Sequence, residues 1–572
     1  MTTEINIMIG GEAGQGVQAA GSIIAKALAR HGLSVFADQD YESRVRGGHN
    51  FFRVRASDGE VGTISEDLDV LLALDQQSID LHRRELSAFG VLIFDSDSAH
   101  AAGDSTGLLG LPLERLAVES AKSKQAANVV AIGAAMALIG YDSAALRNVL
   151  VDHFGTAETG QANALAAARG YEAGKTAFKG RFDKQTGPGS PRKRMLLNGN
   201  EAVALGAIAA GCKFVSAYPM TPSTPIMEYM AAKADDLGIV VVQPEDEISA
   251  VNMIIGAAFA GVRSMTATSG GGFCLMVEGL GLAGMTETPI VVVDGQRAGP
   301  AIGLPTRTEQ GDLRFVIHAA HGDFPRAVLA PANVEDAFWL TVKAFNLAEE
   351  YQIPVIILTD QYLASSYATT ERFDLSRVQI RRGQLLDEND PSKAGRYRRY
   401  EITASGVSPR AFPMQSEALV VADSDEHDEE GHLIEDAATR TAMMLKRQRK
   451  IEGLRKEIAG PRTHGPPGAD ITLIGWGSSL GALIEATDSA VHHGLNINMI
   501  HFSEVWPFPA EAADEALRGA KKTVSVESNA TAQFAQLLRA ETGHQVSGSI
   551  LRFDGRPLTP AYILEQLRKE VA

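Results

Sequence analysis

Tyr218-Pro219-Met220-Thr221-Pro222-Ser223-Thr224-Pro225, taken with Gln243-Pro244-Glu245-Asp246-Glu247 about one βα unit later, decides the fold of this chain. Pro219, Pro222 and Pro225 fix φ and remove backbone donors, so the stretch is neither helix nor central strand, although the strand-like Lys213-Phe214-Val215-Ser216-Ala217 runs straight into it. It reads as a rigid loop at a strand end. In an open α/β sheet ligands bind at the carboxyl ends of the strands, so Thr221, Ser223 and Thr224 are placed to donate to an anionic or carbonyl group. The plainer alternative is a Pro-rich turn whose hydroxyls cap the helix expected over 226–233.

The acids of the second stretch lead directly into Ile248-Ser249-Ala250-Val251-Asn252-Met253-Ile254-Ile255-Gly256-Ala257-Ala258-Phe259, which is apolar around most of its circumference and reads as a buried helix. A carboxyl at the mouth of such a helix is desolvated. Asp246 suits the N-cap, and acids favour the positive end of a helix. Spacing does not choose among Glu245, Asp246 and Glu247 for any further role.

These stretches, with Thr268-Ser269-Gly270-Gly271-Gly272 and Gly303-Leu304-Pro305-Thr306-Arg307-Thr308-Glu309-Gln310-Gly311-Asp312-Leu313, carry a resemblance over nearly the whole chain. In this order they resemble the α subunit of the thiamine-diphosphate-dependent 2-oxoacid:ferredoxin oxidoreductases, in the form with the γ domain fused at the N-terminus. The 2-oxoglutarate branch is the most similar. The resemblance implies a multidomain α/β fold: a γ-type domain over 1–177, a linker over 178–195, a thiamine diphosphate pyrimidine-type domain over 196–375, an irregular excursion over 376–465, and a transketolase C-terminal-like domain over 466–572.

Composition sets outer limits. With 572 residues, 45% of them hydrophobic and 22% charged, the chain is an ordinary soluble composition with room for three or four domains. Its two cysteines, Cys212 and Cys274, exclude a disulfide framework and fit a reducing cytoplasm; a cluster ligated by four thiolates has to sit on another chain. The longest apolar run, 129–139, is too short to span a bilayer, and no export signal is expected at the amino end. A net charge of -17 argues against nucleic acid or an anionic membrane as partner.

At the amino end a strand over 5–9 runs into Gly10-Gly11-Glu12-Ala13-Gly14-Gln15-Gly16-Val17-Gln18-Ala19 and an Ala-rich helix to Arg30. Strand, glycine turn and helix form the arrangement that holds phosphate. The turn satisfies a dinucleotide fingerprint, with Asp38 as the candidate ribose acid, so a nicotinamide- or flavin-dependent oxidoreductase is the rival enzyme. Against it, Tyr41-Glu42-Ser43-Arg44-Val45-Arg46-Gly47-Gly48-His49-Asn50 sets two arginines where a dinucleotide site needs none. Both segments resemble the γ domain associated with coenzyme A. Gly14, Gly16, Arg44 and Arg46 are therefore the expected contacts, since forked guanidiniums suit its phosphates. Strands over 70–73 and 91–94 and helices over 128–139 and 156–169 complete this domain. The basic, Pro/Gly-rich stretch 179–194 reads as a solvated tether.

In the second domain a strand over 289–294 ends in Gly295-Gln296-Arg297, so Arg297 falls at the same sheet edge as Thr221. An arginine there suits a carboxylate; on spacing alone an ion pair to Asp294 or Glu287 fits as well. The resemblance implies that Thr221 and Arg297 contact the 2-oxoacid, that Arg307 takes a distal carboxylate, and that Tyr218, Pro219 and Glu247 border the cofactor. It chooses Glu247 as the catalytic carboxyl that sets the tautomer of the aminopyrimidine ring. Thiamine enzymes anchor the diphosphate through magnesium at a motif beginning Gly-Asp-Gly and ending Asn-Asn; Gly311-Asp312-Leu313 and Gly322-Asp323-Phe324 lack its second glycine, and no metal ligand is expected on this chain. The resemblance thus implies a β subunit carrying magnesium, the diphosphate side and a 4Fe-4S cluster, in an (αβ)2 assembly that passes electrons to ferredoxin. Pyruvate or branched-chain 2-oxoacids are the alternative substrates, and a non-catalytic scaffold subunit the non-enzymatic alternative.

Past residue 376 periodicity fails up to about 465, apart from a polar helix around 436–458. His427 and His432 lie too loosely among their acids for a metal site. Three βα units, starting at 471, 497 and 523, end the chain.

Overall fold

The structure is a computed structural model that describes residues 3–42, 47–102, 107–155, 157–187, 189, 192–386, 397–414 and 419–571. It divides into two compact units, Met1–Leu197 with Ser365–Phe373, and Asn198–Ala364 with Asp374–Ala572.

The first unit contains β1 (Glu4–Glu12), β2 (Ser34–Asp40), β3 (His49–Ser57), β4 (Leu68–Ala73), β5 (Leu86–Asp95), β6 (Leu108–Leu111) and β7 (Met195–Asn198). On β4, Val70 and Leu72 enter the core under the Val17–His31 and Ala127–Leu138 helices, while Leu71 and Ala73 join a second cluster with Ile79 and Phe94. That alternation within an unbroken apolar run marks a strand buried on both faces. β1 pairs parallel with β4 but antiparallel with β3, and β3 pairs antiparallel with β2. The glycine turn therefore does not open a βαβ unit with β2 as next neighbour, as a dinucleotide fold requires. β3 had no reading in the sequence, although its buried Phe52, Val54 and Ala56 alternate with Arg53 and Arg55, each of which pairs with an acid on a neighbouring strand.

Two expectations for the connections change. The stretch read as a solvated tether is held against the first unit. Lys184 pairs with Asp69 at 2.8 Å, Gln185 Nε2 donates to the Leu138 carbonyl at 2.9 Å, and Arg194 pairs with Glu60 and Glu371 at 2.6 and 3.1 Å. The reason is charge: its cations find acids on the unit they leave. The second change lies at 365–373, which was expected to close the second domain. It returns to the first sheet, where Tyr367 and Ala368 pair antiparallel with Ala37 and Phe36 of β2.

The second unit contains β8 (Phe214–Ser216), β9 (Val240–Val242), β10 (Ser264–Thr268), β11 (Ile290–Gln296), β12 (Ala327–Leu329) and β13 (Pro354–Asp360), followed by β14 (Tyr367–Thr370) of the first sheet. Then come β15 (Arg462–His464), β16 (Ile471–Trp476), β17 (Ile497–Phe502), β18 (Glu504–Trp506), β19 (Lys522–Glu527) and β20 (Gly548–Leu551). One sheet runs β18-β12-β13-β11-β10-β8-β9 and the other β15-β17-β16-β19-β20. β18 leaves the last βα region and pairs antiparallel with β12, and one core joins Trp476, Phe502 and Phe534 to Ile254, Leu280 and Val316. The chain goes outward from β8 to β9 and then crosses back to β10 on the other side of β8. That reversal is a topological switch point, where open α/β sheets form a crevice, here at the carboxyl ends of β8 and β10.

The excursion after 376 contributes the Ala437–Glu457 helix, whose buried Lys446 and Lys450 both reach the buried Glu287 carboxylate, at 2.6 and 2.5 Å. Arg399 Nη2 donates to the Glu287 carbonyl at 2.7 Å. Its polarity therefore serves a buried ion cluster.

Candidate functional site

The crevice is lined by the loops the sequence singled out. Asn200 Nδ2 donates to the Pro222 carbonyl at 2.9 Å and Ser223 Oγ to the Thr268 carbonyl at 2.6 Å, which fixes the loop after β8 against the end of β10. Ser223 is thus committed to the scaffold and is not available to a ligand, and Thr224 opens the Thr224–Ala232 helix. Thr221 is half-buried, Pro219 is half-buried and Tyr218 is exposed. Arg297 Nη1 donates to the Thr221 carbonyl at 2.8 Å, so the two residues expected at the substrate do meet. The alternative ion pairs do not form: Glu287 belongs to Lys446 and Lys450, and neither oxygen of Asp294 has a hydrogen-bond partner among the described residues.

The three acids of the second stretch separate by role. Glu245 is exposed, and Asp246 caps the Glu247–Phe259 helix by accepting from the Ser249 N–H at 2.7 Å. Glu247 is 3% exposed, and its Oε1 has no partner among the described residues. A buried carboxylate oxygen without a donor is costly and calls for one from outside the chain. The approach to it is kept open by Gly272: a Cβ there would lie 2.2 Å from Thr268 Oγ1 and 2.5 Å from Glu247 Oε1. An aminopyrimidine nitrogen that donates a hydrogen bond fits this unpaired acceptor.

Acids the sequence reading did not assign complete the crevice. Asp294, on β11 beside Thr268, is fully buried. Burial and then the neighbouring Asp312 push its carboxyl well above the usual range, against the opposing Arg297. Burial lifts Asp312 to about 6, with Arg297 opposing, and burial followed by Asp312 lifts Glu309 to about 7. A Cβ on Gly270 would lie 2.5 Å from the Asp312 carboxylate, so Gly270 and Gly272 make room for an acid on either side of one turn. The only sequence signal was position: Asp294 precedes Arg297 at a strand end, and Asp312 ends a motif already noted.

The 303–313 loop is gripped by the last domain. The Gln310 N–H donates to the Ser528 carbonyl at 2.6 Å, the Ser528 N–H to Gln310 Oε1 at 3.1 Å, and Gln310 Nε2 to the Trp476 carbonyl at 3.1 Å. Gln533 Nε2 donates to the Gly311 carbonyl at 2.6 Å. Arg307 is half-buried, with its Cβ 2.9 Å from where a Gly555 Cβ would stand.

In the first unit Gly14 and Gly16 have φ of +100° and +73°, and Asn128 Nδ2 donates to the Gln15 and Gly16 carbonyls at 3.0 and 3.3 Å. A Cβ on Gly16 would lie 2.4 Å from that nitrogen, so only glycine suits the position. Asp38, the candidate ribose acid, is closed by Arg53, which donates to both its oxygens at 2.8 and 2.5 Å. With the antiparallel β3 between β1 and β2, this removes the dinucleotide reading. Arg44 and Arg46 lie outside the described residues.

Three family models cover most of the chain. "Pyruvate ferredoxin/flavodoxin oxidoreductase" matches 6–173, "Pyruvate flavodoxin/ferredoxin oxidoreductase, thiamine diP-bdg" matches 205–446, and "Pyruvate:ferredoxin oxidoreductase core domain II" matches 469–563. A 2-oxoacid:ferredoxin oxidoreductase subunit alpha from a Sulfolobus species is 33% identical, over 99% of this chain and 96% of its own length. The chain belongs to the 2-oxoacid:ferredoxin oxidoreductase α subunits. Among other relatives of this family, the 2-oxoglutarate synthase subunit KorA of Methanothermobacter marburgensis is 35% identical over 65% of this chain and 97% of its own. The solved 2-oxoglutarate:ferredoxin oxidoreductase from Magnetococcus marinus, with 2-oxoglutarate, coenzyme A and succinyl-CoA bound, is 34% identical with a TM-score of 0.91, over 100% of both chains. As a 2-oxoacid:ferredoxin oxidoreductase α subunit, the chain is one component of a multi-subunit oxidoreductase with a multidomain α/β fold. Among the described residues no helix is long and apolar enough to cross a membrane.

Proposed function

We propose that this chain is the α subunit of a 2-oxoglutarate:ferredoxin oxidoreductase, which converts 2-oxoglutarate and coenzyme A to succinyl-CoA and carbon dioxide and passes two electrons to ferredoxin. The observation that carries the reading is Glu247: a buried carboxylate whose Oε1 has no protein partner among the described residues, at a switch-point crevice that also holds Thr221 and Arg297.

Bound there, thiamine diphosphate supplies a nucleophilic carbon and a sink for the electrons left when carbon dioxide departs. Glu247 holds the aminopyrimidine edge through a charge-assisted hydrogen bond and fixes which ring nitrogen carries a proton. Tyr218 and Pro219 border the ring. Arg297 orients the 2-oxoacid through its 1-carboxylate, beside Thr221, and Arg307 receives the distal carboxylate. Coenzyme A is assigned to the first unit, at Gly14, Gly16, Arg44 and Arg46, where the Gly16 turn precedes a helix N-terminus.

A β subunit of this cytoplasmic enzyme supplies magnesium, the diphosphate side and a 4Fe-4S cluster, in an (αβ)2 assembly. Two cysteines, Cys212 buried and Cys274 exposed, support placing the cluster on that partner. The kinship with a 2-oxoglutarate synthase subunit and with a solved 2-oxoglutarate enzyme supports this substrate over pyruvate.

The test is Glu247→Gln in the assembled complex. Viologen reduction driven by 2-oxoglutarate should fall by about 100- to 10,000-fold with the melting temperature unchanged, because the amide keeps the shape and loses the acceptor charge. Full activity in Glu247→Gln, with loss in Glu245→Gln, would overturn the assignment.

A further inference from the structure

The first unit holds a chain of side chains that the proposed chemistry does not use. His49 opens β3 opposite Glu12, the last residue of β1, so it stands at the carboxyl edge of β1 and β4 where the glycine turn begins. Its Nε2 lies 2.7 Å from Nε2 of His82, the last residue of the Gln76–His82 helix, and His82 Nδ1 lies 2.8 Å from Glu85 Oε1. Both histidines are 8% exposed, and the buried His49 Nδ1 has no partner among the described residues. A Cβ on Gly10 would lie 3.3 Å from His49 Cε1, and Phe51 meets His82 edge-on with ring centres 5.1 Å apart, so β1 and Phe51 both pack on the pair.

This chain of bonds fixes its own protons. A carboxylate only accepts, so the proton between Glu85 and His82 belongs to His82 Nδ1. Neutral His82 then has its lone pair at Nε2, and the short bond to it makes His49 Nε2 the donor. His49 Nδ1 is left as a lone pair, a buried acceptor that no described residue satisfies. The two Nε2 atoms are too close to share a metal, since two ligands of one tetrahedral zinc stand about 3.3 Å apart. Among the described residues no group of three His, Cys, Asp or Glu side chains could hold a metal ion.

We propose that Glu85, His82 and His49 form a tautomer-setting relay whose free end, His49 Nδ1, accepts a hydrogen bond from a neutral N–H or O–H of coenzyme A, which makes His49 a specificity-determining residue of the first unit. The inference rests on the assignment of coenzyme A to that unit. A phosphate does not suit this end. His49 is faced by His82 and by the carboxylates of Asp75 at the helix cap, Asp40 at the end of β2 and Glu42 just after it, and Glu12 lies across the strand pair. An anion among them would meet like charge. Coenzyme A offers neutral donors away from its phosphates, in the adenine amine and in the amides and hydroxyl of its pantetheine arm. A further proton on the relay would rest as an imidazolium on His82 against Glu85, and would turn His49 Nδ1 from acceptor to donor. Burial, followed by His82, lowers His49 below the usual histidine value against the pull of Asp75, Asp40 and Glu42, which keeps the accepting form near neutral pH.

The experiment follows KM for coenzyme A and for 2-oxoglutarate in the assembled enzyme. His49→Leu removes the acceptor and should raise KM for coenzyme A about tenfold, the worth of one hydrogen bond, with KM for 2-oxoglutarate unmoved. His49→Asn keeps an oxygen acceptor at the δ position and should restore most of the loss. In the wild type, KM for coenzyme A should rise as pH falls below about 6.5, where the relay takes up its proton. Glu85→Gln removes the anion that stabilises that proton and should move the rise to lower pH. Glu85 is only half-buried, so this variant carries the test if His49→Leu fails to assemble. An unmoved KM in His49→Leu, no rescue by His49→Asn, or coincident pH profiles for wild type and Glu85→Gln overturns the inference. Arg46→Ala separates the two levels. If neither it nor His49→Leu moves KM for coenzyme A, the assignment to the first unit falls and takes this inference with it; if Arg46→Ala raises KM and His49→Leu does not, only the inference falls.

Discussion

Arg297 donates to the carbonyl oxygen of Thr221 at 2.8 Å, across 76 residues of sequence. The bond joins the end of β11 to the loop after β8 and makes one binding edge from two strands. It uses a backbone acceptor, so the arginine keeps its charge uncommitted. That distinguishes a ligand-facing arginine from a structural one such as Arg410, which is buried and paired to Glu349.

Gly272 is the most sensitive small residue near Glu247. In Gly272→Ala the new methyl would meet Thr268 Oγ1 and Glu247 Oε1 inside van der Waals contact, and the carboxylate, at the end of a flexible side chain, moves first. We expect a stability loss of about 1–3 kcal/mol by chemical denaturation. Activity should fall as far as in Glu247→Gln, and an active, unchanged Gly272→Ala enzyme would place the cofactor edge elsewhere.

Substrate preference should follow Arg307. Removing a charged hydrogen-bond donor from a distal carboxylate costs about 1.5–3 kcal/mol, roughly 10- to 100-fold in kcat/KM. Arg307→Ala should therefore lower kcat/KM for 2-oxoglutarate by that factor and leave pyruvate nearly untouched. A wild-type enzyme with higher kcat/KM on pyruvate would reject the 2-oxoglutarate assignment.

Gln310 links the loop that carries Arg307 to the last domain. Gln310→Ala removes the partners of the Ser528 N–H and the Trp476 carbonyl, and each orphaned buried group costs about 1–3 kcal/mol. Thermal unfolding should shift down, and KM for 2-oxoglutarate should rise more than KM for pyruvate. Equal shifts for both substrates would mean that the loop is not held by this residue.

The Glu287 cluster is structural. Burial alone would raise its carboxyl pKa, but Lys446, Lys450 and Arg399 outweigh burial and hold it well below the usual carboxylate range. A depressed folded-state value stabilises the protein above the unfolded carboxyl pKa of about 4.3 and loses that stability as pH falls toward the folded value. Glu287→Gln leaves two buried ammoniums without their counterion and should cost about 3–5 kcal/mol near pH 7. An equal denaturation midpoint for variant and wild type would show that the lysines re-pair.

What the sequence by itself determined is local. Prolines at 219, 222 and 225 dictated a rigid loop, and the apolar run after Glu247 dictated a buried helix. Asn198 and Glu201 form a reciprocal capping box, with bonds of 2.9 and 3.0 Å, that starts the Gly199–Ala209 helix from four consecutive residues. Each follows from backbone dihedrals or periodicity within one segment. Tertiary structure decided what depends on neighbours distant in sequence. Only packing separated exposed Glu245, capping Asp246 and buried Glu247, since a helix apolar nearly all round carries no directional signal. Only strand order set the antiparallel β3 between β1 and β2 and closed Asp38 with Arg53, and only the returning β14 moved 365–373 to the first sheet. The raised carboxyls of buried Asp294 and half-buried Asp312 were invisible for the same reason: a carboxyl's protonation depends on the water and charges around it, and the fold alone supplies those.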